Sequence, residues 1–142
     1  MLGIILQARM GSKRLPGKVL MRVGRKPLLD HIFDRLKLMK HSAKLVLATT
    51  TNPMDDAVDR FCKERGVECY RGSEDNVLER YYSCAKKYQF QHIVRLTGDN
   101  PFTDIEELDR LIEQHLNTRS DYTHSFGVLP VEIGRASCRE RV

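Results

Sequence analysis

No acidic side chain occurs before Asp30, although the 142-residue chain carries 19 of them. Tryptophan is absent, and Cys62, Cys69, Cys84 and Cys138 form no CxxC pair. The histidines make no HExxH, so the familiar zinc spacings are excluded. Reduced, structural thiols fit a cytoplasmic protein. No apolar run approaches the roughly 20 residues that cross a bilayer. Met1 enters a strand-like run with no charged segment ahead of it, unlike a secretory signal. A cytoplasmic location without a membrane partner is therefore expected. There is no GxGxxG, and no Walker A motif either, because five residues separate Gly11 from Gly17 and Val19 follows Lys18. Nothing suggests a Ser/His/Asp arrangement for nucleophilic hydrolysis.

What the first 29 residues hold instead is positive charge. Arg9, Lys13, Arg14 and Lys18 crowd a stretch broken by Gly11, Pro16 and Gly17, just after the apolar run Ile4-Ile5-Leu6. Seven basic residues between Arg9 and Lys26 exceed the net charge of +5, so the excess is local. Like charges packed on one loop repel one another unless an anion joins them. A polyphosphate fits best, since Arg grips phosphate oxygens bidentately and Lys adds point charge. Gly11 lets the backbone approach, and Ser12 offers a hydroxyl and an N–H. Solvated basic surface and a nucleic-acid patch are the alternatives. The position after a strand and the Pro16-Gly17-Lys18 ending favour phosphate, and a charge confined to one loop speaks against a nucleic-acid partner.

Along the chain, strand-like and helix-like segments alternate. Met1–Ala8 reads as a first strand, and Pro27 opens a helix to about Met39 with Leu29, Ile32, Phe33 and Leu36 on one face. Lys44–Thr49 is a second strand, and a helix runs from Asn52 or Pro53 to Arg65, stopped by Gly66. Val67–Tyr70, a helix from Asp75 to Tyr88, the strand His92–Leu96 and the helix Ile105–Leu116 follow, and Asp121–Ser125 begins a fifth strand. Arg80, His31 and His115 read as solvated helix surface. This order, in a chain long enough for one domain, predicts a three-layer, doubly wound α/β fold with a mostly parallel sheet ordered 3-2-1-4-5.

In such a sheet, strands one and four flank the crevice where ligands bind, beyond their carboxyl ends. The basic loop leaves strand one. Leaving strand four is Thr97-Gly98-Asp99-Asn100-Pro101, whose Asp99 is well placed for a hard cation. Asp104 is better explained as the N-cap of the next helix, with Glu107 completing a capping box.

The stretch Gln7-Ala8-Arg9-Met10-Gly11-Ser12-Lys13-Arg14-Leu15-Pro16-Gly17-Lys18 resembles the nucleotide loop of the sugar cytidylyltransferases, closest to the spore-coat polysaccharide branch. The likeness continues with gaps through Arg71-Gly72-Ser73 and Gly98-Asp99-Asn100-Pro101 to Thr103. It implies the Rossmann-like fold of the nucleotide-diphospho-sugar transferases. It also implies transfer of CMP from CTP to an acidic sugar, with release of pyrophosphate. By this resemblance Arg14, Lys18 and Asp99 act in catalysis and Asp99 holds Mg²⁺. Arg9, Gly11, Ser12 and Lys13 bind the phosphates, and Gln7 and Ala8 lie near the cytosine. Arg71 and Ser73 reach the nucleotide, Ser73 having a helix N-cap as its alternative role. Family members run well beyond this length, form homodimers and draw further carboxylates from a C-terminal half. Residues 1–131 thus correspond to the nucleotide-binding part.

The last eleven residues, Glu132–Val142 (EIGRASCRERV), show no useful periodicity. They resemble translated read-through of a sequencing adapter or vector, and are left out of the expected fold.

Overall fold

The computed structural model describes residues 1–125 and 137–140. Its strands are β1 (Leu2–Gln7), β2 (Arg22–Val23), β3 (Lys26–Pro27), β4 (Lys44–Thr50), β5 (Glu68–Gly72), β6 (His92–Thr97), β7 (Tyr122–His124) and β8 (Ser137–Glu140). The helices are α1 (Leu28–Leu36), α2 (Asp56–Glu64), α3 (Val77–Lys87) and α4 (Ile105–Thr118). The main sheet runs β5-β4-β1-β6-β8-β7, and β2 and β3 form a separate hairpin.

β1 pairs in parallel with β4 on one side and β6 on the other, and β4 pairs in parallel with β5. The expected 3-2-1-4 arrangement is thus present at the centre of a mostly parallel sheet. Being covered on both faces, these strands need apolar residues at successive positions. Ile4, Leu6 and Ala8 pack with Leu29, Ile32 and Phe33 of α1 and with residues of α2 and α4. Ile5 points the other way, joining Val46, Ala48 and Ile93 beneath Tyr81, Cys84 and Ala85 of α3. Three layers result, and both faces of β1 are buried.

The fifth position differs. β7 does not touch β6, because β8 lies between them and pairs antiparallel with each. Those four residues fall in the 132–142 stretch that sequence patterning leaves outside the fold. An open strand edge presents unpaired N–H and C=O groups, which any extended segment can satisfy through its backbone. Pairing of this kind leaves no side-chain period to read.

Other boundaries shift slightly. The regular part of α1 ends at Leu36, and tighter bonds from Leu38 and Met39 to Arg35 and Leu36 finish the turn. α3 starts at Val77, capped by Asn76, whose side chain accepts from the Glu79 N–H at 2.9 Å. Ser73 is therefore not its N-cap. The two-residue hairpin partners of β2 and β3 were not expected, being too short to show a period.

Two residues read as solvated are buried. His115 is 1% exposed, bonded to Thr123 Oγ1 through Nδ1 at 3.1 Å and to His92 through Nε2 at 3.3 Å. Arg80 is fully buried. Its place three residues after Val77 and four before Cys84 puts it on the stripe that faces the sheet, whatever its charge.

Candidate functional site

At the carboxyl ends of β1 and β6 the chain opens into a cleft of about 350 Å³. Gln7, Ala8, Arg9, Ser12, Lys13, Arg14 and Lys18 line one side, and Thr97, Gly98 and Asp99 the other. The two stretches singled out by sequence therefore meet. Gly98 is what lets them. A Cβ there would sit 2.8 Å from the Ala8 Cβ and 3.1 Å from the Gln7 oxygen, and the Gly98 N–H already donates to that oxygen at 2.7 Å. Any side chain would push the exit of β6 away from that of β1.

The basic loop is shaped by its own backbone and by one buried carboxylate. The N–H groups of Ser12 and Gly17 both donate to the Met10 carbonyl, at 2.8 and 2.9 Å. Gly17 takes a left-handed φ of 72°, which suits glycine. Beyond it, Val19 is buried among the α1 side chains and pins the far end of the loop. The Met10 N–H donates to Asp55 Oδ1 at 2.7 Å. Asp55 is 2% exposed, and its other oxygen takes the Thr50 N–H at 3.2 Å and the Thr50 hydroxyl. Sequence reasoning missed Asp55 as an anchor. Its signal was the Asn52-Pro53 turn that sets it four residues beyond Thr51, at the ligand-facing edge of β4.

Across the cleft, Lys18 Nζ donates to Asp99 Oδ2 at 2.8 Å. That bond holds the Asp99 carboxyl below its ordinary range; partial burial works against it, and Thr97 adds to the lowering. Asp99 is thus an anion facing a cluster of cations. The chain beyond it is held by Arg35, whose Nε and Nη2 donate to the Thr103 carbonyl at 3.0 and 2.8 Å. Asp104 caps α4 as expected, accepting from the Glu107 N–H at 3.0 Å. The reciprocal half of the capping box is not made, because the Glu107 carboxylate pairs with Arg110 instead.

Gly11 lies in the loop between Arg9 and Ser12, with open space where a side chain would be. Arg71 and Ser73 are not brought to the cleft lining. Arg71 spends its donors inside the protein: Nε on the Thr50 carbonyl at 2.9 Å, Nη2 on the Asn52 carbonyl at 2.8 Å and Nη1 on Asp56 at 2.5 Å. Ser73 Oγ accepts from the Asn76 N–H at 3.1 Å, steadying the turn into α3.

Among the described residues no group of three or more His, Cys, Asp or Glu side chains converges on a metal position. Among the described residues that line the cleft, Asp99 alone offers a carboxylate. A hard cation there takes one protein oxygen and needs the rest from a ligand or water, which is how Mg²⁺ is commonly bound beside phosphates.

A cation-lined cleft thus lies at the switch point of a parallel sheet, the place where open α/β domains bind their ligands. Residues 3–137 match the family model described as cytidylyltransferase, and the chain belongs to that family. It is 44% identical over 124 residues to the spore coat polysaccharide biosynthesis protein SpsF of Bacillus subtilis, covering 84% of this chain and 52% of that protein. Among solved structures, a cytidylyltransferase from Leptospira borgpetersenii superposes with a TM-score of 0.89 at 34% identity, over 97% of this chain and 60% of that one. CMP:2-keto-3-deoxy-manno-octonic acid synthetase complexed with CTP superposes with a TM-score of 0.71 at 25% identity, over 84% of this chain and 48% of that one. The chain spans about half the length of the curated relatives it matches.

Proposed function

We propose that this chain carries the CTP-binding half of an enzyme that transfers CMP to an acidic sugar, releasing pyrophosphate, for surface or spore-coat polysaccharide. The observation that carries this reading is the cleft in which Lys18 meets Asp99 beside Arg9, Ser12, Lys13 and Arg14. Family membership supports nucleotidyl transfer. The CTP complex of a relative and the names of others support this nucleotide and this class of sugar.

In the transfer, a sugar oxygen forms a bond to the α-phosphorus as the bond from that phosphorus to the pyrophosphate oxygen breaks. Negative charge gathers on the leaving pyrophosphate. Lys18 and Arg14, which both line the cleft, stabilise it electrostatically, Lys18 leaving Asp99 for the phosphate. Arg9, Ser12, Lys13 and the Gly11 backbone fix the phosphates in line. Gln7 and Ala8, at the tip of β1, border the base. Mg²⁺ held on Asp99 would supply further charge to the phosphates. The sugar site and dimer contacts belong to the longer protein, which we place in the cytoplasm. No helix among the described residues is long and apolar enough to cross a membrane.

Calorimetry with CTP, UTP, ATP and GTP, each with and without Mg²⁺, tests the reading. CTP binding tightest, and tighter with metal, is expected. Equal binding of all four nucleotides would remove the cytidylyl assignment, and tight oligonucleotide binding untouched by CTP would replace it with a nucleic-acid site.

A further inference from the structure

The two faces of β6 meet different surroundings. Val94 and Leu96 face the main core, while Ile93 faces the other way, with Tyr81 of α3 and Phe90. Arg95 and Thr97 alternate onto that second side, and both are exposed. Among the described residues α3 is the only helix there, and it packs over β5, β4 and β1. β7 agrees with this. Thr123 is buried and bonded to His115 of α4, whereas its neighbours Tyr122 and His124 are exposed. Among the described residues the α3 face of the sheet is therefore open from Arg95 outwards to β7.

Arg95 stands on that open face with its charge unspent. Its guanidinium carbon lies 5.3 Å from the centre of the Tyr81 ring, whose hydroxyl is pinned to the Leu96 carbonyl at 3.2 Å. Burial pushes that hydroxyl up to about 12, although the Arg95 charge pulls the other way, so the ring is a neutral platform. Arg65, Arg71 and Arg110 each pair with a carboxylate, whereas no carboxylate among the described residues pairs with Arg95. Thr97, two residues and about 7 Å further along the strand, lines the cleft beside Asp99. On the reading above, the leaving pyrophosphate lies by Arg14 and Lys18, on the loop from β1. A nucleophile in line with it approaches from the opposite side, over β6 and away from β1.

We infer that Arg95 selects an acidic acceptor, its paired N–H groups gripping the sugar carboxylate while a sugar oxygen is presented to the α-phosphorus. The inference rests on the nucleotidyl-transfer reading above. The planar guanidinium fork matches the two oxygens of a carboxylate, and a neutral sugar offers it no such partner. Arg95 takes no part in the exchange of bonds at phosphorus. The open face gives the acceptor room, and the rest of its site comes from the longer protein.

The test titrates 3-deoxy-manno-octulosonate, its methyl ester and CTP separately into the parent chain, Arg95→Gln and Arg95→Lys. Affinities are read from NMR shifts and thermal midpoints from calorimetry. The parent should bind the acid about fivefold more tightly than the neutral ester, the scale of a partly exposed ion pair. The Arg95 Nε–H signal should move with the acid. Arg95→Gln should bind acid and ester alike. Arg95→Lys keeps the charge but loses the fork, so it should keep only part of the preference. CTP affinity and midpoint should stay close to the parent's in both variants, since Arg95 is exposed. Equal binding of acid and ester by the parent, or a preference that survives in Arg95→Gln, would overturn the inference. A fall in CTP affinity as large as that for the acid would assign Arg95 to the nucleotide and overturn it too. A lower midpoint in both variants would give Arg95 a structural role instead. A parent chain that binds CTP but not the sugar acid overturns this inference alone. One that binds neither removes the nucleotide reading together with it.

Discussion

Lys18 and Asp99, 81 residues apart, face each other across the cleft with Nζ 2.8 Å from Oδ2. Asp99 stands two residues past β6 and Lys18 at the far end of the loop that leaves β1, so the pairing of β1 with β6 and the fold of that loop together set their separation. Alone, the pair is a modest, partly exposed ion pair. We propose that a triphosphate would switch these partners: the lysine would turn to phosphate, and the carboxylate would be released to a cation.

Replacing Lys18 or Arg14 with alanine should each weaken CTP binding by roughly 1.5–3 kcal/mol, the scale of a charge-assisted hydrogen bond. Titration calorimetry on folded variants measures this. Affinities near the parent's in both would take the basic loop out of the site.

Asp99 should titrate below a free aspartate, because Lys18 donates to its charged form. A depressed folded value means that the pair's contribution is present above the unfolded value and is lost as pH falls through the folded one. The window thus lies below about pH 4. Lys18→Met should move the Asp99 carboxyl upward in a carbon-detected NMR titration. An unmoved carboxyl would mean that Lys18 is not its main partner.

How far sequence reaches is visible in single residues. The strand β1, the basic loop and Asp104 carry local signals: an apolar run, turn residues among like charges, and a capping side chain before a helical stripe. Asp55 offers only the Asn52-Pro53 turn ahead of it, because its work depends on Met10, 45 positions away. Arg80 and His115 were misjudged for another reason. Their residue types suggest solvent while their spacing places them on buried stripes, and the spacing won. Arg71 entered only by resemblance, and in this structure its donors knit β5 to the turn after β4. β8 escaped because backbone pairing at an edge asks nothing of side-chain pattern.

We propose, on its sequence, that 132–142 is read-through, while its residues 137–140 pair with β6 over four positions. Ending the chain at Val131 should therefore lower the thermal midpoint by a few degrees, as expected for a loss of about 1 kcal/mol. An unchanged midpoint in a calorimetric scan would show that the pairing contributes nothing.

The most direct test of the account joins Asp99, metal and nucleotide in one measurement. CTP affinity is determined at several Mg²⁺ concentrations for the parent and for Asp99→Asn, which keeps the size but removes the charge. The account predicts that Mg²⁺ tightens CTP binding to the parent and has little effect on the variant. It also predicts that metal-free binding to the variant equals or exceeds that of the parent, since a bare carboxylate repels phosphates. Parallel magnesium curves for the two proteins would contradict it.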